Sequence, residues 1–573
     1  MQGMRKRWEP RKADEGTPWS TPSGASLPAH PLVAAILAAR GVGMPEEVSQ
    51  FLAPALSAMH DPSLLRGMGA AVSRLLAARR KGETVCVYGD YDVDGVTGTA
   101  LLVSFLRATG IKCLYFIPNR FDDGYGLNRE AIERIIALGA DLIVSVDCGI
   151  TALDEALFCR EQGIDLIIVD HHAPAESIPA ACAVLNPLQP GCGYPFKALA
   201  GVGVAFNLLV ALRAALRDEG AFEPGAEPDL REWLDLVALG TIADVVPLTG
   251  QNRIYAFHGL RQLSSPARPG IQALKRVAGV TGEVSCGQVG FRLAPRLNAA
   301  GRMESAVPGV DLLLSASMEE CLGIAAELDA ANAERQAIER RILDEAISLV
   351  EAGADYPGRR SIVLASDAWH QGVVGIVASR LVERYHRPTI LIALGGDGSA
   401  KGSGRSIPGF HLLDALAPCS AHLERYGGHR YAAGVGLRAD KVAAFAAAFE
   451  VEAALRLTAD DLVPRLAVDV ETRPEDITRE LALELKRLEP FGNGNPEPVL
   501  VMHRMAVLER RVVGAGHLRL KLARDGYSFN AIAFNMAAVE TGGVVDVAFY
   551  PELNEWNGST TLQLRVKDLR PAE

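Results

Sequence analysis

Three short apolar runs between residues 85 and 170 each end at side chains that can bind a cation. Helix-forming segments separate these runs, and Val/Ile/Leu strands that alternate with helices are typical of a parallel, doubly wound sheet. In such sheets ligands bind beyond the carboxyl ends of the strands. The residues that follow the three runs are Asp90, Asp92 and Asp94, then Asp147, and then Asp170, His171 and His172.

The first run, VCVYGDYDVDG (Val85–Gly95), places three aspartates at alternate positions. Carboxylates held close together raise one another's pKa and repel unless a cation lies among them. Hard divalent cations prefer oxygen ligands. The stretch therefore predicts a metal site. The alternative is a solvated turn with an aspartate as helix N-cap, which accounts for one or two of the three acids.

The length of 573 residues predicts three or four domains, and the apolar fraction of 49% is ample for their cores. A formal charge of −11 argues against a generally basic nucleic-acid coat protein, so a polyanion would need local basic patches. No apolar run reaches the ~18 residues of a membrane span.

Residues 1–30 are rich in Pro, Ser, Gly and charge and lack the apolar core of a signal peptide, which predicts a disordered leader. Nine cysteines are scattered along the chain without a CxxC pair. This pattern favours reduced thiols in a cytoplasmic protein over disulfides or zinc ligands.

Two further stretches of the first domain carry candidate site residues. GTIADVVPL places Asp244 just past a helix end, where an aspartate is either a cap or a ligand. FRLAPRLNAAGRM contains Arg292, Arg296 and Arg302 with no acid before Glu304. In an acidic chain such a stretch suits phosphate contact, although surface arginines paired with neighbouring carboxylates are the alternative.

The remaining chain predicts a linker and two more domains. Residues 311–352 are rich in helix-forming residues almost throughout, which predicts one or two long connecting helices, and a second strand–helix pattern follows. This second pattern contains two glycine-rich segments, KGSGRS and GGHRYAAGVG, that allow close approach to a phosphate. His429 in the latter is a core or a site residue. No GxxxxGK[ST] motif is present, so ATP hydrolysis is not inferred.

Short alternating strands after about residue 499 predict a small antiparallel barrel, with an OB fold as one form it can take. Phe529, Phe534, Tyr550 and Trp556 are candidate stacking faces for unpaired bases, although most of them should be core residues. The chain is thus divided into a leader (1–30), an α/β domain with N-terminal helices (31–310), a connecting helix (311–355), a second α/β domain (356–460) and a barrel (461–573).

At this point the motifs resemble a known family. VYGDYDVDG, SVDCG, VDHH and GTIADVVPL, in this order, resemble the signature motifs of the DHH phosphoesterase superfamily, and GGHRYAAG is similar to its DHHA1 domain. PRLNAAGRM, WHQGVVGIVASRL, LEPFGNGNP and ELNEWNGSTTLQLRVKDL resemble the RecJ branch, which contains single-strand-specific 5′→3′ DNA exonucleases. The similarity covers the chain from about Pro45 onward.

The resemblance implies a site for two divalent ions, Mn²⁺ or Mg²⁺. It implies that Asp90 either joins the ligands or supports them, that His172 faces the scissile phosphate, and that Asp170 orients the histidines. Asp147 is the expected carboxylate between the two ions. The implied metal ligands are Asp92, Asp94, Asp147, His171 and Asp244.

The same resemblance implies a pocket for a 5′-terminal phosphate and a set of partners. The candidate substrate-binding residues are Arg120, Arg296, Arg302, Ser403, Arg405 and His429. The implied partners are single-stranded DNA and, by family analogy, a single-strand-binding protein and a RecQ-type helicase. We expect a monomer without a membrane segment.

Two other functions are compatible with these motifs. One is a DHH–DHHA1 phosphodiesterase of short oligonucleotides or cyclic dinucleotides, which would need neither the barrel nor PRLNAAGRM. The other is a non-catalytic DNA-binding replication scaffold, which could lose its carboxylates, whereas all of them are present here.

Overall fold

The structure is a computed structural model of the chain and describes residues 6–11, 29–119, 126–353, 356–514, 516–556 and 558–572. It divides into two compact units. The first unit comprises Ala53–Glu334 and Pro490–Pro496. The second comprises Met1–Leu52, Arg335–Glu489 and Glu497–Glu573.

The N-terminal elements differ from the sequence-based expectation. They are strand β1 (Arg7–Pro10) and helices α1 (Pro31–Ala39) and α2 (Pro45–Leu52). Strand β1 pairs in parallel with Arg465–Val468, so the prediction of a disordered leader is wrong for these residues. Residues 12–28 of that leader lie outside the described residues. The N-terminal helices group with the second unit and not with the domain that follows them. Arg40, the C-cap of α1, and Arg11 both donate to Asp469 of that unit at 3.0 Å.

The first unit is built on a five-stranded parallel sheet with the order β3-β2-β4-β5-β6. Its strands are β2 (Thr84–Gly89), β3 (Lys112–Phe116), β4 (Leu142–Val146), β5 (Asp165–Val169) and β6 (Ala183–Leu185). Its first helices are α3 (Met68–Lys81), α4 (Val93–Ala108), α5 (Arg129–Ala137) and α6 (Leu153–Glu161).

The sheet is buried on both faces, which confirms the predicted doubly wound architecture. Along β2, Val85 and Val87 belong to one apolar cluster, whereas Cys86 and Tyr88 belong to a second. Strand β2 lies between β3 and β4, so the chain order reverses at β2. In open parallel sheets such a reversal opens a crevice at the carboxyl ends of the two adjoining strands.

Helices complete the first unit, and the predicted connecting segment consists of the end of α13 and all of α14, in agreement with the one or two helices expected there. The boundary between the two units falls within α14, which has 35 residues. The helices are α7 (Gly201–Asp218), α8 (Leu234–Ala243), α9 (Gly250–Ser264), α10 (Pro269–Val277), α11 (Cys286–Gln288), α12 (Ala294–Met303), α13 (Val307–Leu314) and α14 (Met318–Ala352).

The second unit contains a mixed five-stranded sheet with the order β10-β11-β9-β8-β7. Only β7 and β8 are parallel. The glycine-rich KGSGRS falls largely in strand β9, and GGHRYAAGVG spans the β10–β11 hairpin. The elements are β7 (Ile362–Ser366), α15 (Val374–Tyr385), β8 (Thr389–Leu394), β9 (Ser399–Arg405), α16 (Leu412–Leu416), β10 (Arg425–Gly428), β11 (Ala432–Arg438) and α17 (Val442–Arg456).

The C-terminal strands form the predicted OB-like barrel. Its order is β14-β15-β16-β18-β17, and pairing of β14 with β17 closes it. The remaining elements of the chain are β12 (Arg465–Val468), β13 (Val470–Glu471), α18 (Arg479–Lys486), β14 (Leu500–Val513), β15 (His517–Arg524), β16 (Tyr527–Ala533), β17 (Val544–Trp556) and β18 (Ser559–Pro571).

Among the candidate stacking residues of the barrel, Phe529 and Tyr550 are buried, whereas Phe534 is 49% exposed. The expectation that most of these aromatic residues are core residues therefore holds for two of the three whose side chains are described. Within the described part of the chain, every helix is too short or too polar to cross a lipid bilayer.

Candidate metal centre

The acidic and imidazole side chains predicted to bind metal converge at the carboxyl edge of the parallel sheet in the first unit. Asp90 directly follows β2, Asp147 follows β4, and the Asp170–His172 segment follows β5. The ladder continues into these residues, because the N–H of Asp147 donates to Val169 at 2.9 Å. Asp244 joins them from the C-cap of α8. This is the crevice that the strand order opens between β2 and β4.

The imidazole of His171 lies at the centre of this cluster. Its Nε2 is 3.1 Å from Asp147 Oδ1, 3.5 Å from Asp244 Oδ2 and 3.9 Å from Asp94 Oδ2. Three sets of ligand atoms each lie within 4.8 Å of one another: Asp147, His171 and His172; Asp94, His171 and Asp244; and Asp90, Asp92 and Asp147. Asp147 and His171 each belong to two sets.

Burial and mutual repulsion shift the pKa values of this cluster. Burial and the charge of Asp92 raise the pKa of Asp94 to about 7. Burial and the charges of Asp94 and Asp92 raise that of Asp244 to about 9, and burial and Asp94 likewise raise the pKa of Asp147. Burial lowers the pKa of His171 to about 4, so its imidazole is neutral and can act as a ligand at neutral pH.

Three buried atoms of the cluster have no hydrogen-bond partner among the described residues: Asp147 Oδ1, His171 Nε2 and Asp244 Oδ2. A buried polar atom without a partner costs roughly 1–3 kcal/mol. Asp147 also has a φ of 63°, a backbone conformation that non-glycine residues seldom adopt and that concentrates at functional sites. Carboxylates with one imidazole suit Mn²⁺ or Mg²⁺, so the residues present fit a divalent metal site.

Two aspartates of the loop after β2, Asp92 and Asp94, accept hydrogen bonds from backbone N–H groups. Asp92 is the N-cap of α4 and accepts hydrogen bonds from Asp94 N and Gly95 N, so it has the predicted capping role and also belongs to one of the three ligand sets. Asp94 accepts from Gly201 N at 2.6 Å and Val202 N at 2.8 Å. These two donors begin α7, where the helix dipole favours a negative charge.

Asn298 also contributes to the site, which the sequence reasoning missed. Its side-chain oxygen accepts a hydrogen bond from Val93 N, between Asp92 and Asp94, at 3.1 Å. PRLNAAGRM therefore positions the metal-binding loop through α12. In the sequence, Asn298 is marked only by its position between Arg296 and Arg302. Spacing alone does not distinguish a residue that contacts a loop from one that contacts a phosphate.

His172 and Asp170 form a separate pair beside the cluster. His172 Nδ1 lies 2.8 Å from Asp170 Oδ1, and the other oxygen of Asp170 accepts from Ile150 N at 2.9 Å. Burial opposes a charge on His172, but the hydrogen bond to Asp170 and its negative charge raise the pKa of the imidazole. Asp170 thus orients the His172 ring, and its contact with His171 is made to the backbone N–H.

The described candidate phosphate-binding residues are divided between the two units. Arg296 pairs with Asp329 at 2.8 Å, which agrees with the alternative of an arginine paired to a neighbouring carboxylate. Arg302 is half-buried in α12. Ser403 and Arg405 lie side by side on β9 of the second unit, and His429 is exposed in the β10–β11 turn rather than in a core. Arg120 lies outside the described residues.

Comparison with known families agrees with this architecture. The N-terminal domain of the DHH family matches residues 84–241, the DHHA1 domain matches 359–454, and the RecJ OB domain matches 468–568. Sheet, acidic cluster and domain order thus define a protein of the DHH–DHHA1 class, as the motifs predicted.

The relatives narrow this class. The single-stranded-DNA-specific exonuclease RecJ of Escherichia coli is 40% identical over 96% of this chain and 97% of its own length. The same enzyme of Bacillus subtilis is 39% identical over 100% of this chain and 72% of its own. The crystal structure of Thermus thermophilus RecJ in complex with Mn²⁺ is 35% identical, with a TM-score of 0.80 over 96% of this chain and 79% of that one. The chain belongs to the RecJ family.

Proposed function

We propose that the protein is a metal-dependent exonuclease that degrades single-stranded DNA 5′→3′ to 5′-mononucleotides, in DNA repair and recombination. The observation that carries this proposal is the cluster of buried carboxylates and the His171 imidazole at the point where the strand order reverses. Three atoms of this cluster have no hydrogen-bond partner among the described residues. When bound, two divalent cations lower the pKa of a water and stabilise charge on the phosphoryl oxygens.

The chain's own residues would divide the work at this site. Asp147 belongs to two of the three ligand sets, which supports the proposal that its carboxylate would hold both cations. His171 is neutral and offers Nε2. His172, held through Nδ1 by Asp170, has a raised pKa and can present a protonated Nε2 to the phosphate. Asp90 lies within the set that contains Asp92 and Asp147, which supports its inclusion among the ligands.

A 5′-phosphate pocket is supported by the first turn of α15 and the end of β9. Arg405 donates to Ser403 Oγ at 3.0 Å, and α15 begins without a side-chain cap. A Cβ at Gly375, in the first turn of this helix, would lie 2.8 Å from Ser403 Oγ and 3.2 Å from Arg405 Nη2. A helix N-terminus beside a serine and an arginine is a favourable site for a phosphate.

Exposed residues on the outer face of the barrel support a role for this domain in binding the DNA strand. Arg511 of β14 lies directly opposite Arg519 of β15, both are exposed, and neither has a partner among the described residues. Like charges at opposed positions repel, which an anionic backbone would relieve. On the same strand as Arg519, the ring of His517 packs against the exposed Phe534 at 5.2 Å, and Phe534 offers a face for a base.

Further aspects of the proposal rest on sequence and family analogy. All nine cysteines are free thiols, which supports a cytoplasmic location. A monomer that cooperates with a single-strand-binding protein and a RecQ-type helicase is proposed from the family alone.

A manganese-dependent nuclease assay on single strands of increasing length tests the proposal. We expect long 5′-phosphorylated strands to be shortened from the 5′ end, with mononucleotides as products. Restriction to di- to tetranucleotides or cyclic dinucleotides would favour the small-substrate phosphodiesterase, and binding without hydrolysis would favour the scaffold. The exposed Asp154 of α6 supplies a control, since Asp154→Asn should leave the rate unchanged.

The pocket has a test of its own. Wild-type protein should prefer a 5′-phosphate to a 5′-hydroxyl, and Arg405→Ala should reduce this preference roughly 10- to 100-fold, because hydrogen bonds to charged groups are worth about 1.5–3 kcal/mol. Arg438→Ala, which removes an exposed arginine of β11, is the matched control. An unchanged preference in Arg405→Ala would remove this residue from the pocket.

A further inference from the structure

Phe291 is 77% exposed, the largest exposed fraction among the exposed large apolar side chains of the described residues. It lies in a π-helical turn, Val289–Leu293, that leads directly into α12. Val289 and Leu293, which flank it, are fully buried. The exposed ring is therefore anchored on both sides of the chain, and π-helical turns are frequent at functional positions.

Packing does not explain why the residue before Phe291, Gly290, is a glycine. Apart from its two chain neighbours and the backbone of its own helical turn, a Cβ at Gly290 would have no neighbour within 4 Å in the part of the chain that the structure describes. A glycine within a helix costs roughly 0.5–1 kcal/mol relative to alanine. Glycine is used where a ligand approaches the backbone closely, and open space beside an exposed ring fits a flat ligand.

The residue after Phe291 supplies a cation. Arg292 is exposed and has no carboxylate partner among the described residues, in contrast to Arg296, which pairs with Asp329. An aromatic face next to an unpaired arginine is the combination that binds unpaired bases and their phosphates.

The turn is fixed relative to the metal centre. Asn298 holds the metal-binding loop through Val93 N and lies seven residues after Phe291, a helical rise of roughly 10 Å. A strand whose phosphate lies at the metal centre can therefore place a nearby base against this turn.

We infer that Phe291 is a stacking platform for an unpaired base of the DNA strand, with Arg292 on the adjoining phosphate and Gly290 leaving room for the base. This inference rests on the proposed nuclease function and deepens it. Phe291 contributes to single-strand selectivity, because the faces of a base in a duplex are already covered by its neighbours.

Binding of oligothymidylate in the absence of divalent ions tests the inference in the full-length protein. Phe291→Ala should raise the Kd roughly 5- to 100-fold, the range for loss of one stacked base. Phe291→Trp should restore binding, and the affinity for a blunt duplex should not change. Leu138→Ala removes a 62% exposed apolar side chain at the end of α5 and is the control.

A series of strands with one abasic position then locates the contact. In the wild type one position should weaken binding most, and at that position Phe291→Ala should add no further loss, because both changes remove the same interaction. Since the side chain is exposed, the melting temperature should not change. In steady state the KM should rise with little change in kcat.

The outcomes separate this inference from the proposed function. If the wild type degrades single strands but Phe291→Ala binds and digests every substrate like the wild type, the stacking role is refuted and the nuclease function stands. Additive losses from the variant and the abasic position would also refute it. A wild type that fails to hydrolyse DNA with Mn²⁺ would refute the nuclease function, whatever the binding series shows.

Discussion

Asp147 and Asp469 are both buried carboxylates, but only Asp469 is paired with positively charged side chains of the protein. The side chain of Asp469 is fully buried in the second unit and accepts hydrogen bonds from Arg11, Arg40 and Val499 N, all at 3.0 Å. Asp147 is equally buried in the first unit, but acidic neighbours and a neutral imidazole surround it. A buried charge must be paired or bind a metal. Asp469 is therefore structural, whereas Asp147 requires a cation from outside the chain.

The largest effect is expected from removing the charge of Asp147. Asp147→Asn should reduce kcat at least roughly 1000-fold, since a metal ion's stabilisation of transition-state charge is worth several kcal/mol. The metal-free variant should melt at or above the wild-type temperature, because one acidic group has been taken out of a cluster whose members raise one another's pKa. Turnover with Mn²⁺ and melting in a chelator measure both effects. If the variant is active, or is strongly destabilised without metal, Asp147 is a structural residue like Asp469 and not a metal ligand.

Truncation of Asp469 should have the opposite profile. Asp469→Ala leaves Arg40, whose side chain is 8% exposed, without its carboxylate, and breaking a buried pair costs about 3–5 kcal/mol. Urea unfolding should show this loss, while kcat of the folded protein stays near the wild-type value. Asp460→Ala breaks the exposed pairs to Arg7 and Arg465 and should cost about 1 kcal/mol or less. Equal losses in the two variants would contradict the distinction between buried and exposed pairs.

The acidic cluster also predicts how stability depends on pH. The pKa values of Asp94 (about 7) and Asp244 (about 9) in the folded protein lie above those of an unfolded chain. In the metal-free protein these groups contribute stability at pH values below about 4, and the contribution is lost as the pH rises through 7 and 9. A divalent cation displaces their protons, so its binding should tighten with pH by up to about 1.4 kcal/mol per pH unit for each proton released.

Thermal melting with Mn²⁺ and with a chelator, between pH 6 and 9, measures this dependence. The difference between the two melting temperatures should widen as the pH rises, because the metal-free protein loses stability. Asp147→Asn should narrow it at every pH. A difference independent of pH would mean that the carboxylates are already ionised without metal.

The sequence predicted those features that depend on local patterns. Apolar runs that stop at aspartates identified the sheet, its doubly wound form and the chain positions of the acidic cluster. Features that depend on distant pairing were not predicted. β1 was assigned to a disordered leader because its partner, Arg465–Val468, lies more than 450 residues away. Arg296 was a phosphate candidate because Asp329, which pairs with it, is 33 residues further along the chain.

The smallest predicted effect concerns the barrel. Here the side chains without a partner among the described residues are two arginines, Arg511 and Arg519, rather than carboxylates. Arg519→Glu places opposite charges at this position pair, which should stabilise the fold by roughly 0.2–1 kcal/mol. The same change should weaken binding of single-stranded DNA and reduce its salt dependence, because a phosphate contact is lost. Urea unfolding and binding at two salt concentrations measure the two effects. Arg473→Glu, at a 72% exposed residue of the same unit that pairs with Glu475, controls the binding measurement for the change in net charge. If Arg519→Glu stabilises the fold without weakening binding, the repulsion between Arg511 and Arg519 serves no ligand, and this face of the barrel does not contact DNA.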